Sequence, residues 1–213
     1  MSPRTRYIII GLGVLAVAVV VTFPLWRPYF VNDVVDEAFP ELDSGQQTAF
    51  TELTQDQQDA YVTMKDENAE MAVAMVKAAI EADSEVPEAE QTMPEMTDPV
   101  ILAQGSFIEI DVVHGAEGTA TIYQLPDSTR VLRLEDFRST NGPDLHVILS
   151  KDSPATTLGS VGEDYIDLGR LKGNVGSQNY DIPAEVDLDD YGSVVIYCVP
   201  FHVVFSTAAF ARG

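Results

Sequence analysis

Three textures of hydrophobic and polar positions divide the chain. Residues 7–26, YIIIGLGVLAVAVVVTFPLW, carry no charge. As a helix at about 1.5 Å per residue they span about 30 Å, the thickness of a bilayer's hydrocarbon core. Tyr7, Trp26 and Tyr29 then fall at the two interfaces. Between 28 and 82 the spacing is helical. Ser44-Gly-Gln-Gln47 and Thr54-Gln-Asp-Gln57 each have capping-box spacing. A third helix is predicted from about Asn68 to Ala82, with Glu70, Lys77 and Glu81 as a thin polar stripe. The rest of that helix is Ala, Val, Met and Ile, so it needs cover, from a small bundle with the two preceding helices or from a partner helix. Beyond Pro99 short alternating runs separated by turns predict strands at 105–113, 118–124, 129–134, 144–149 and 180–183. The final pair is Val194 to Val199, apolar throughout and so buried on both faces, and His202 to Phe205, with a turn at Val199-Pro200-Phe201. The expected fold is a mainly β C-terminal domain, a β-sandwich or flattened barrel, preceded by an N-terminal transmembrane helix and a small α-helical region.

Charge sharpens this division. Lys and Arg number 12 against 34 Asp and Glu, a net charge of −22 over 213 residues. No basic patch exists, which excludes nucleic acid as a partner. Arg4 and Arg6 precede the apolar span, and a long acidic region follows it. The positive-inside bias then puts the N-terminus in the cytoplasm and everything after Trp26 outside the cell membrane, Arg27 being a mild contrary sign. Ala16-Val17-Ala18 offers a signal-peptidase pattern, but cleavage there would leave an exposed apolar start, so an uncleaved single-pass anchor is the expectation. Asp83 to Pro99 holds three prolines and six acids with no base, the composition of an extended linker. The predicted organisation is therefore 1–27 tail and anchor, 28–82 acidic helical region, 83–102 acidic linker and 103–213 β-rich domain. Five of six methionines lie between 64 and 96. Thioethers bind Cu(I), but core filling is the preferred reading.

Candidate chemistry gathers at the C-terminal end. Cys198 is the only cysteine, which excludes an internal disulfide and any multi-cysteine metal site. Period-two alternation puts it on one face with Val194 and Ile196, at the end of a core-facing row. No Lys or Arg lies between Lys172 and Arg212, so local charge does not stabilise a thiolate, and the thiol pKa is expected to rise. Cys198-Val-Pro-Phe-His202 has the Cys-x-x-x-His spacing of blue-copper loops, with His146 or His114 as a second histidine. No methionine follows Met96 to serve as the weak axial ligand. Gly-x-Ser-x-Gly, His-Glu-x-x-His and phosphate-loop patterns are absent, so the chain is not expected to be an autonomous enzyme.

One ordered set of motifs runs through the β-rich part: Gly105-x-Phe107, His114-x-x-x-Gly118, Leu132-Arg-Leu-Glu-Asp-Phe137, Gly142-Pro-Asp144, Leu168-Gly-Arg-Leu-Lys-Gly173, Gly176-x-Gln-x-Tyr-x-Ile-Pro183 and Val194-Val-Ile-Tyr-Cys198-x-x-Phe201. Order and spacing together resemble the DM-thirteen domain over residues 103–210. The resemblance implies an extracellular electron-transfer module whose hallmark cysteine is Cys198, acting as a bare thiol or a haem ligand. Cys198, His202 and His114 are the candidate redox or cofactor-binding residues. No catalytic residue and no metal site is assigned, and the cofactor stays open between haem, copper and none. Two functions follow: an anchored module passing electrons through Cys198 to a protein or redox partner outside the membrane, or a cofactor-free adhesion or assembly module in which Cys198 is structural.

Overall fold

The computed structural model describes residues 39, 41–93 and 100–211, with residues 3, 5, 6, 13 and 20–22 before them. The expected transmembrane span at 7–26 falls almost wholly outside the described residues, as do residues 28–38 of the helical region. Among the described residues no helix is long and apolar enough to cross a membrane.

Three helices open the described fold. Asp43 caps α1 (Ser44–Glu52), with Gln46 closing the capping box, one residue earlier than the Ser44 spacing predicts. Asp wins because its carboxylate accepts from two exposed backbone N–H groups, of Gly45 and Gln46. Thr54 and Gln57 form the predicted box on α2 (Gln55–Glu67). Asn68 caps α3 (Ala69–Ala79). The cover that α3 needs comes from the β-domain as well as from α2. Ala72, Val73, Met75 and Val76 share one continuous core with Phe50, Tyr61 and residues of both sheets. Met75 is buried in that core, and Met64 and Met71 pack on its edge, the gap-filling use of this flexible side chain.

Among the described residues nine strands make two antiparallel sheets. One has the order β1-β3-β4-β7, from β1 (Val100–Ser106), β3 (Ala116–Gln124), β4 (Arg130–Ser139) and β7 (Gln178–Ile182). The other has the order β2-β9-β8-β5-β6, from β2 (Ile108–Glu109), β9 (Val203–Ala209), β8 (Ser193–Cys198), β5 (Leu145–Ser150) and β6 (Ile166–Arg170). The two sheets bury a common core, so the fold is a β-sandwich. The single strand expected at 105–113 is split: the chain leaves the first sheet at Ser106 and joins the second at Ile108, and buried Phe107 stacks edge-on to Phe137 at 5.2 Å. Switching sheets lets one apolar run serve both layers. A stretch read as loop contains β6, whose Ile-Asp-Leu-Gly-Arg sequence is short and whose Gly169 sits at φ +116°. A four-residue helix α5 (Leu158–Val161) precedes it.

The segment expected to be an extended linker is docked along its described part. Asp83 accepts hydrogen bonds from Asn174 Nδ2 (2.8 Å) and Arg138 Nη1 (2.6 Å). Val86 is buried, and its N–H bonds to Val175 O at 2.9 Å. A short helix α4 (Glu88–Gln91) follows, and Arg133 donates to its Gln91 carbonyl at 2.9 Å. Lys172 meets Glu90 at 3.2 Å. Composition predicted a free chain because those acids have no base nearby in sequence; the fold brings Arg138 to Asp83 and Lys172 to Glu90. Gly173 permits the approach, since a Cβ there would run into the Ser84 carbonyl. Val100–Leu102, also placed in the linker by sequence, belong to β1. Phe39–Gly213 forms one compact unit.

Candidate functional site

β8 lies between β5 and β9, and all six of its residues are buried. Such burial on both faces explains the unbroken apolar run. Val194, Ile196 and Cys198 face the inter-sheet core, while Val195 and Tyr197 face a second cluster on the outer side with Ile148, Ala155, Val161 and Val204. Cys198 therefore ends the core-facing row, fully buried, paired with Leu145 on one side and Val203 on the other.

Its thiol donates to Pro143 O at 3.0 Å. Around it the Gly142-Pro143-Asp144 turn closes the end of β8. Gly142 has to be glycine, because a Cβ there would strike the Phe205 ring and the Leu145 side chain. Asp144, at φ 50°, accepts the Val199 N–H through its backbone carbonyl at 3.3 Å and pairs with Arg170 at 2.9 Å through its carboxylate. Burial pushes the Cys198 thiol up to about 11; the Phe201 backbone N–H pulls the other way and the Asp144 charge adds to the rise. At pH 7 the thiolate is then about one part in ten thousand. Loss of a nearby positive charge is visible in sequence, but the Pro143 carbonyl and the Gly142 contact were not.

The other candidates do not converge on Cys198. His202 occupies the β8–β9 turn at φ 56°, exposed, and its Nδ1 lies 3.0 Å from Tyr197 Oη on the outer side of the sheet. His146 stands directly across from Tyr197 and binds Asp167 through Nδ1 at 2.8 Å, again away from Cys198. His114 is buried at the β2–β3 turn. Its Nδ1 meets Asp111 Oδ2 at 2.7 Å and its ring stands edge-on to Phe205, centroids 4.6 Å apart. His114 Nε2 is buried without a partner. Burial favours a neutral Asp111, yet the hydrogen bonds from His114 and the Val113 backbone hold its carboxyl below the ordinary value. His114 reaches the Cys198 region only through packing, ring on Phe205 and Phe205 on Gly142.

A copper site of Cys198 with His202 or His146 is thus not assembled: His146, across from Tyr197, shares that residue's outer face, and the left-handed turn at His202 carries its imidazole to Tyr197 on the same side. A haem ligated by Cys198 has no room either, since the thiol is closed in by Pro143, Leu145 and Val203. Among the described residues no three His, Cys, Asp or Glu side chains are placed to hold a metal ion. The open clefts lie elsewhere. One of about 490 Å³ runs between Leu53, Gln57 and Tyr61 and the β2–β3 turn, edged by Glu81, Glu109, Asp111 and Arg138. A smaller one of about 210 Å³ has Gly142, Asp144 and Leu145 in its wall, the residues that cover Cys198 from outside.

A family model described as Electron transfer DM13 matches residues 107–210. This segment is a DM13 domain. It takes in β2 through β9 and α5, and leaves α1 to α4 and β1 outside the match. No curated protein and no solved structure matches the chain. Within the DM13 domain the Gly142-Pro143-Asp144 turn closes the end of β8, where Cys198 sits.

Proposed function

We propose that the chain is a membrane-anchored electron-transfer module, held outside the cytoplasmic membrane by residues 7–26, whose DM13 domain exchanges electrons at Cys198 without catalysing a reaction of its own. The observation that carries this is the position of the sole cysteine. It closes the central strand of an electron-transfer domain, beneath a turn whose glycine, proline carbonyl and aspartate all serve to enclose it. One cysteine cannot close an internal disulfide, so it gives up one electron to the partner's acceptor, and its S–H proton passes to a base of the docked partner or to water admitted as the turn loosens. A partner protein reaches the sulfur by docking at the β8–β9 end and loosening Gly142–Asp144. The bare thiol is favoured over a cofactor ligand because the sulfur is enclosed by packed side chains and the histidines point elsewhere.

The complete burial of Cys198 supports a second reading, a cofactor-free assembly module with a structural cysteine. Purified chain offered haem or copper separates the cofactor routes: it should stay colourless and metal-free. A visible band that disappears in Cys198→Ala would instead establish Cys198 as a ligand. A C-terminal reporter active only after export should be active, and activity confined to the cytoplasm would reverse the topology.

A further inference from the structure

A phenol or thiol that gives up an electron at neutral pH must also give up a proton. Its hydrogen-bond partner decides whether the closed domain can take that proton itself. The partner of Cys198 is a carbonyl oxygen, which cannot take a proton. The partner of its neighbour Tyr197 is an imidazole, which can.

Tyr197 is 1% exposed, and Tyr165 packs against it with ring centroids 5.8 Å apart. Its hydroxyl lies 3.0 Å from Nδ1 of His202, five residues on across the β8–β9 turn. His202 holds a left-handed backbone, φ 56°, which few side chains adopt and which turns its ring back over Tyr197. With the imidazole proton on Nε2, the hydroxyl donates to Nδ1. His202 is exposed, so a proton taken at Nδ1 can be matched by release from Nε2 to water.

We propose that Tyr197 and His202 form a proton-coupled redox pair, an electron port one residue from Cys198. The proposal rests on the electron-transfer reading and adds a second group to it. A one-electron acceptor of a partner redox protein removes an electron from the Tyr197 ring. The Oη–H bond breaks, an N–H bond forms at His202 Nδ1, and the products are a neutral phenoxyl radical, an imidazolium and a reduced acceptor. Return of one electron and the same proton restores the pair. The titratable groups around it are Tyr165, Cys198 next in the chain, and His146 directly across on β5 with its partners Asp167 and Asp144.

The test oxidises the full chain with photogenerated ruthenium(III) polypyridyl and follows the phenoxyl radical by transient absorption and electron paramagnetic resonance. His202→Asn keeps tolerance of the left-handed turn and a hydrogen-bond acceptor but cannot take a proton. The expected result is a long-lived phenoxyl signal that disappears in Tyr197→Phe. In His202→Asn it should form at least about tenfold more slowly. The same signal in a Cys198→Ala background separates this pair from the cysteine. A phenoxyl signal unchanged in Tyr197→Phe, or formed at the same rate in His202→Asn, would overturn the proposal and leave the hydrogen bond as a tie for the turn.

Discussion

Replacing Gly142 by alanine should weaken the fold and open Cys198 together. The added Cβ would run into the Phe205 ring and the Leu145 side chain. Phe205 is 1% exposed and is backed by the His114 ring at 4.6 Å, so it has little freedom to swing aside. The yielding element is then the Gly142–Asp144 backbone, which carries Pro143 O away from the thiol. Overpacking of this kind costs about 1–3 kcal/mol. If that cost falls on the local opening that exposes the sulfur, thiol labelling should speed up by about 5- to 100-fold, at about 1.4 kcal/mol per factor of ten. Urea unfolding by circular dichroism reads the first effect, and maleimide labelling of the native chain followed by mass spectrometry reads the second. Phe205→Leu in the same chain should recover part of both losses, because the two positions touch. Unchanged stability, or a destabilised chain whose labelling rate does not move, would refute the argument that this turn encloses the cysteine.

Other consequences are open to measurement. The Cys198 pKa rises on folding, so its contribution is present below pH 9 and is lost as pH climbs toward about 11; the stability difference between wild type and Cys198→Ala should shrink by up to about 2–3 kcal/mol over that interval. Tyr61, pushed up to about 12 by burial and by Asp111, acts in both chains and cancels from the difference. Asn174→Ala removes the side chain that joins Asp83, Ser84 and Ser139; it should cost about 1–3 kcal/mol and make residues 83–92 an early protease site. Resistance equal to wild type there would mean that the docking does not depend on this residue.

Much of the fold was legible because it depends on local pattern. The Val194–Val199 run announces a doubly buried strand, Pro200 marks the turn, and alternation places Cys198 with Val194 and Ile196. Thr54 and Gln57 announce a helix start through a contact three residues long. What sequence hid depends on distant partners. Asp83 and Glu90 look unopposed until β4 and the β6–β7 loop bring Arg138 and Lys172 alongside. Phe107 sits mid-run in an apparently continuous strand, and only the presence of two sheets explains the break. The site was half visible. Cys198 and His202 invite pairing because they are four apart, yet the left-handed turn at His202, beyond the end of β8, swings its ring to the other face. Tyr197, five residues before His202, is the residue that meets it, through a turn conformation that alternation along the strand does not reveal.

The central claim, that electrons leave this domain through Cys198, is tested most directly by finding where an oxidising equivalent lands. The folded chain is treated with one equivalent of a one-electron oxidant in the presence of a spin trap, and adducts are mapped by peptide mass spectrometry. The account predicts a sulfur adduct on the peptide containing Cys198, produced faster in Gly142→Ala than in wild type. A thiol that stays intact in the folded chain while the equivalents are consumed elsewhere would contradict it.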